Sequence, residues 1–196
     1  MRSPSCWTRT PGCPDEHRIA FGDDVNEIHQ LDLSSPAPPI LVGQHADSVR
    51  SLTYDHTGRR LASASDDHEV KVWDMTAPKP HLARTLAEFT AAVRTIAYSR
   101  DDKLLAAAGR DTTIRIWKAT TYEPYATLTG HQNMIESLAF NPHRDQLASA
   151  AIDGTVRLWV LDTNTVRARV CSTLRHASPT DWKRYAPTIS QPDHCT

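Results

Sequence analysis

Three tryptophans, Trp73, Trp117 and Trp159, each close a short apolar run, EVKVW, TIRIW and TVRLW, at spacings of 44 and 42 residues. This period constrains the fold more than any other property, because a unit of this size is one small sheet that cannot bury its own apolar faces and has to stack on its neighbours. Upstream of each tryptophan, SLTYDHTGRRLASAS from Ser51, TIAYSRDDKLLAAAG from Thr95 and SLAFNPHRDQLASAA from Ser137 align without a gap. An aromatic residue in each (Tyr54, Tyr98, Phe140) is followed seven residues later by a Leu-Ala pair at Leu61, Leu105 or Leu147. Turn residues such as Asp55-His56-Thr57-Gly58, Arg100-Asp101-Asp102 and Asn141-Pro142-His143 separate these strands. A fourth, more variable run precedes the next unit, as in HLARTL from His81 and YATLTG from Tyr125.

The residues at fixed places within the unit are Gly130-His131, Ser149, Asp153 and Trp159 in the third copy and His45, Ser63, Asp67 and Trp73 in the first. This order resembles the WD40 repeat, and the likeness extends from about Pro39 to Arg169. It implies an all-β fold: a WD40 β-propeller segment, with three full four-stranded blades and a partial N-terminal blade. The expected divisions are an irregular N-terminus (1–17), a partial blade (18–38), repeats at 39–80, 81–124 and 125–171, and a C-terminal extension (172–196). In the partial blade, RIAFGDDVNEIHQLDL places Leu31 where Trp73 stands and Asp24 one position off. Val166–Val170 is expected to supply a last strand. Ser178, Pro179 and Asp181 then read as a helix start, with Trp182 and Tyr185 on one side and Pro187 as the stop. That helix is expected to cap the last blade. Its place between Cys171 and Cys195 resembles the C-terminal extension of large bacterial WD40 regulators of the signalling-ATPase type. Propellers carry 4 to 8 blades, so closure is expected to need upstream repeats of a longer protein or self-association.

A set of Ser, His and Asp invites a reading as a hydrolytic triad, which recurs on unrelated folds. Repetition opposes it, since a scaffold needs the same fastening in every unit and an enzyme rarely needs its nucleophile twice. The tryptophan belongs to the pattern too, and its buried indole N–H requires an acceptor. In the second copy the same places hold Phe89, Ala107, Asp111 and Trp117. Two polar members are lost together there, which is how a buried hydrogen-bonded pair is removed at little cost. The sets are therefore expected to be structural tetrads, with Asp111 and Trp117 a partial one and no catalytic residue among them.

Charge and composition remove other classes. Lys and Arg number 22 against 23 Asp and Glu, with a net charge of -1 and no block of one sign, which argues against a nucleic-acid partner. The longest apolar run, near LLAAAG, is far short of a membrane helix. The first residues lack a signal-peptide core, so a cytoplasmic location is expected. The spacing of Cys6, Cys13, Cys171 and Cys195 does not suit zinc. A Cys171–Cys195 disulfide stays open beside two free thiols, and neither metal nor cofactor is expected.

The resemblance implies a binding platform for a protein partner. The residue before each tight-turn Asp and those shortly after the Gly-His position commonly face partners in this family, which carries over to Asp66, Arg110 and Ile152, and to Asp47 and Asn133. Each is alternatively an ordinary solvated loop residue. Arg110 stands out because arginine is enriched in interface hot spots. Arg50, Arg94 and Glu136 recur on the inner strand and could line the channel instead. The competing functions are a sensor domain of a bacterial signalling ATPase or transcriptional regulator, and a hydrolase using the Ser/His/Asp set.

Overall fold

The computed structural model describes residues 17–162, and these form fourteen strands and no helix. The strands make four antiparallel sheets. The N-terminal blade holds β1 (Arg18–Gly22), β2 (Glu27–Asp32) and β3 (Ile40–Gln44). Blade 1 holds β4 (Val49–Tyr54), β5 (Arg60–Ser65), β6 (Val70–Asp74) and β7 (His81–Leu86). Blade 2 holds β8 (Val93–Tyr98), β9 (Leu104–Gly109), β10 (Ile114–Lys118) and β11 (Pro124–Leu128). Blade 3 shows β12 (Ile135–Phe140), β13 (Gln146–Ala151) and β14 (Val156–Val160).

Repeat and sheet are offset by one strand. The first run of each repeat pairs backward, β3 on β2, β7 on β6 and β11 on β10, so every repeat begins on the outer edge of the preceding blade. The half unit expected at the N-terminus is thereby a three-stranded sheet, in which Ile19 pairs with Leu31 as Leu61 pairs with Trp73. The third blade shows three strands rather than four among the described residues. The expected strand at Val166–Val170, the helical cap around Trp182 and Tyr185, and Cys171 and Cys195 lie outside the described residues.

The core lies between the sheets, in one cluster at each junction. Ala62, Ala64, Val70 and Val72 of blade 1 meet Val93, Ile96, Leu105 and Trp117 of blade 2. Ala106, Ala108, Ile114 and Ile116 of blade 2 meet Ile135, Leu138 and Leu147 of blade 3. Alanine is a poor strand former, but its small side chain on the second strand lets the next sheet's large residues fill the gap between facing sheets. The same face of blade 3 is bare. Val156 and Leu158 are each 71% exposed, whereas Val70, Val72 and Ile114 at matching positions are 0% exposed and Ile116 is 1%.

The turn between the second and third strands of blades 1 to 3, and its counterpart between β1 and β2 of the N-terminal blade, has a left-handed last or next-to-last residue: Asn26 (φ 68), His68 (φ 71), Thr112 (φ 64) and Gly154 (φ 79). This turn carries the Asp of each tetrad. It projects to the same end of a blade as the loop preceding its first strand, since Asp66 N–H donates to Ser48 O, Arg110 N–H to Ala92 O and Ile152 N–H to Met134 O.

Candidate functional site

In blade 1 the four marked side chains form one chain of hydrogen bonds. Trp73 Nε1 donates to Ser63 Oγ at 2.9 Å, Ser63 Oγ lies 2.7 Å from His45 Nε2, and His45 Nδ1 lies 2.7 Å from Asp67 Oδ2. Asp67 also accepts the N–H of Ala46 at 2.9 Å and of Glu69 at 3.0 Å. With a neutral imidazole each link has one proton: indole N–H to hydroxyl, hydroxyl to Nε2, Nδ1–H to carboxylate. Burial pushes the His45 pKa below its ordinary value, Asp67 opposing only in part, so the neutral form is the one held. Burial would raise the Asp67 carboxyl, but the Ala46 N–H, His45 and the Glu69 N–H outweigh it and hold it below the usual range.

Blade 3 repeats the arrangement: Trp159 to Ser149 at 2.8 Å, Ser149 to His131 at 2.7 Å and His131 to Asp153 at 2.9 Å. The hydroxyl of Thr155 and the N–H of Gln132 hold the Asp153 carboxyl far below its ordinary pKa. Each tetrad pins the loop before the first strand, which carries the His, to the turn that carries the Asp. Ser63 is 0% exposed and Ser149 is 1% exposed, and both hydroxyls are saturated by Trp and His. A substrate carbonyl cannot reach either oxygen, so these serines are not placed for acyl transfer.

Blade 2 solves the same problem with residues the sequence pattern did not mark. Trp117 Nε1 donates to Glu88 Oε1 at 3.2 Å, and Arg115 Nη1 lies 3.5 Å from Glu88 Oε2 and over the Phe89 ring at 5.3 Å. Phe89 takes the His place against Trp117, with ring centroids 6.0 Å apart, close to the 6.5 Å of His45 and Trp73. The expected clean removal of two polar groups is thus corrected: the indole kept its need for an acceptor and found a carboxylate. Asp111 binds Thr113 through Oδ1, but its buried Oδ2 has no hydrogen-bond partner among the described residues. The signal that could have revealed Glu88 is a carboxylate immediately before Phe89, with an arginine two residues before the tryptophan.

The five candidate partner residues separate. Asp66 does not stand free: it accepts Arg50 Nε at 2.7 Å and lies 3.6 Å from Arg94 Nη1 of the next blade. Arg50 and Arg94, of consecutive blades, thus share this one carboxylate. Asp47, Arg110, Asn133 and Ile152 are exposed, Ile152 by 55%. Among the described residues, the side chains of Asp47 and Asn133 bond only to the next residue's N–H, Ser48 at 2.6 Å and Met134 at 2.8 Å. The Arg110 guanidinium makes no hydrogen bond or ion pair with any described residue, although its backbone is fixed by Ala92 O at 2.9 Å.

Elsewhere, Asp23, Glu27 and His29 bring three potential metal ligands within 4.8 Å of one another on the N-terminal blade, as do His45, Asp67 and Glu69 in the blade 1 pin. Asp23 is largely committed, through Oδ1 to the N–H of Val25 and Glu27 and through Oδ2 to His29. At the opposite end a cleft of about 660 Å³ opens between blades 2 and 3, lined by Ser99, Lys103, Tyr125, Asn141 and Arg144 among others. Its Ser99 hydroxyl donates to Asp101 Oδ1 at 2.8 Å and accepts the Leu104 N–H at 2.9 Å, so it is tied into its own turn. No helix among the described residues is long and apolar enough to cross a membrane.

The family described as "WD domain, G-beta repeat" matches residues 38–74, 81–118 and 122–160, more than half of the chain. The chain belongs to the WD40 family. A Protein LST8 homolog of Drosophila melanogaster is 32% identical over 72 residues, covering 36% of this chain and 23% of that protein. The Target of rapamycin complex subunit wat1 of Schizosaccharomyces pombe is 33% identical over 66 residues, 33% of this chain and 21% of that protein. The WD repeat-containing protein SL1-17 of Schistosoma mansoni is 39% identical over 61 residues, 31% of this chain and 20% of that protein. The match thus spans less than a quarter of the length of each of these WD40 relatives. All are eukaryotic proteins, and they lend no support to the bacterial signalling-ATPase type.

Proposed function

We propose that this chain is a non-catalytic protein-interaction platform working as part of a WD40 propeller. The observation that carries this reading is the end of the blades where the tetrads fasten the loops. Arg110, Asn133, Asp47 and Ile152 are exposed there on backbone that is already fixed, so a partner meets them with little ordering cost. One WD40 relative is named as a subunit of a complex, which supports a protein-binding reading for this chain. The bare flank at Val156 and Leu158 is a second protein surface, with the composition of a blade junction, and further blades or a second copy of this chain are its proposed cover.

The test is a photo-crosslinking residue placed at Ile152, with a control at Thr57 on the opposite end, introduced into the full chain in its own cells. A discrete cross-linked protein at Ile152 and not at Thr57 supports the platform, and none at Ile152 overturns it. A second reading, the recognition domain of a signalling regulator, rests on the Trp182 and Tyr185 pattern between Cys171 and Cys195. A kinase or ATPase module encoded in the same reading frame supports that version.

A further inference from the structure

The arginines at the rim of blades 1 and 2 differ in how they are neutralised. In blade 1 the start of β4 and the turn after β5 bring Arg50 against Asp66, and Asp66 reaches Arg94 at 3.6 Å. Blade 2 has the same backbone arrangement. Val93 pairs with Gly109 as Val49 pairs with Ser65, and Arg110 N–H meets Ala92 O as Asp66 N–H meets Ser48 O. The two facing positions there are Arg94 and Arg110. Like charges on facing strands repel where opposite charges would hold the strands together. One carboxylate, Asp66, serves Arg50 and Arg94 together, and Arg110 has no counter-ion among the described residues. Glu136 takes the corresponding inner-strand place in blade 3 but makes no ion pair with Arg110. Ile152, at the turn position of blade 3 that matches Arg110, adds an exposed apolar side chain on the other side.

We propose that Arg94 and Arg110 form a receptor for a carboxylate side chain of a protein partner, with Ile152 taking an adjacent apolar residue. This rests on the platform reading above and names the chemistry of its ligand. A carboxylate there gives Arg110 the counter-ion that it lacks among the described residues and adds a charge-assisted contact to Arg94, whose Asp66 is shared with Arg50. A nucleic acid is disfavoured because Asp66 already lies 3.6 Å from Arg94 and the chain, with a net charge of -1, has no block of basic residues to make a continuous track for phosphates.

The probe is a fluorescent octapeptide of alternating Glu and Leu, measured by anisotropy on the full chain beside its Gln–Leu counterpart and an eight-nucleotide oligothymidylate. The Glu peptide is expected to bind and to weaken with salt, while the other two do not bind. Arg110→Asp recreates the Arg–Asp pair of blade 1, so its unfolding midpoint should equal or exceed wild type. Its affinity for the Glu peptide should fall by at least about tenfold, the loss of one hot-spot contact. Arg94→Gln should weaken binding in the same direction. Absence of Glu-peptide binding, equal binding of the Gln peptide, preferred binding of the oligonucleotide, or unchanged affinity in a folded Arg110→Asp chain overturns the assignment. Should the cross-link at Ile152 persist unchanged in Arg110→Asp, the carboxylate receptor fails and the platform stands. Should that cross-link be absent in wild type, the platform itself fails.

Discussion

Removing one oxygen from the blade 1 pin tests both its energetics and its non-catalytic role. In Ser63→Ala, Trp73 Nε1–H and His45 Nε2 both lose their partner in a site with no room for solvent. Each orphaned group costs about 1–3 kcal/mol, so the chain should lose about 2–6 kcal/mol. At a slope of about 2 kcal/mol per molar in urea, even the lower bound moves the midpoint down by about 1 M. Blade 2 supplies the rescue. Its Glu88, Phe89 and Ala107 stand where blade 1 has Gln44, His45 and Ser63, and Lys71 stands where Arg115 supports Glu88. The triple change Gln44→Glu, His45→Phe and Ser63→Ala should therefore recover at least about half of the loss, since a carboxylate again accepts from Trp73 and a hydrogen bond to a charged group contributes about 1.5–3 kcal/mol. Equilibrium unfolding followed by tryptophan fluorescence measures all three chains. A Ser63→Ala midpoint within about 0.25 M of wild type refutes the pin as a stabilising element. A triple variant no better than Ser63→Ala refutes Glu88 as the substitute acceptor. If Ser63→Ala kept its stability while abolishing a hydrolytic activity, the triad reading would return.

Stability should also fall in acid. The folded pKa of His45 is lowered, so its contribution is fully present above the ordinary histidine range, near 6.5, and is lost as pH drops below it. Asp67 and Asp153 are held low as well, and their contributions are lost later, as pH falls through the carboxylate range below about 4. Thermal melts between pH 7 and pH 5 should show a falling midpoint; a rise would mean that His45 is held charged by Asp67. Thr112 sits at φ 64, a conformation its β-branched side chain resists. Thr112→Gly should raise stability by up to about 1 kcal/mol in urea unfolding, and a loss would show that the Thr112 side chain is needed there. At Gly43 an added Cβ would lie 2.1 Å from the Trp73 ring. Gly43→Ala should displace that ring and break its bond to Ser63, lowering stability by about 2 kcal/mol or more and shifting tryptophan emission to the red. An unshifted spectrum at wild-type stability would count against this close packing.

Much of the fold was legible because the repeat carries its own check. Three aligned segments with Leu61, Leu105 and Leu147 in register placed β4, β5, β8, β9, β12 and β13 before any geometry was known, and the matched Trp, Ser, His and Asp separated a repeated fastening from a single reactive site. The offset of blade and repeat was not legible. An outer strand such as β7 is mostly exposed, and nothing in its residues says whether it pairs with the strand before it or after it. Glu88 was missed for a related reason: the alignment compared like positions, whereas Trp117 found its acceptor at a neighbouring one. The ion pairing of Asp66 was not legible, because its two arginine partners lie 16 and 28 positions away, one of them on another sheet.

The sequence by itself determined the strand pattern, the period and the WD40 tetrads, because alternation, turn chemistry and a buried indole's demand for an acceptor are local or repeated properties. Only the tertiary structure decided which charges are neutralised and which faces are covered. Asp66 and Arg110 occupy equivalent positions in consecutive repeats, yet one is locked between two arginines and the other stands without a partner among the described residues. Val72 and Leu158 are likewise equivalent in sequence, and one is sealed while the other faces solvent. Pairing and burial depend on what the adjacent blade presents across the gap, and that is a property of the stack rather than of any one repeat.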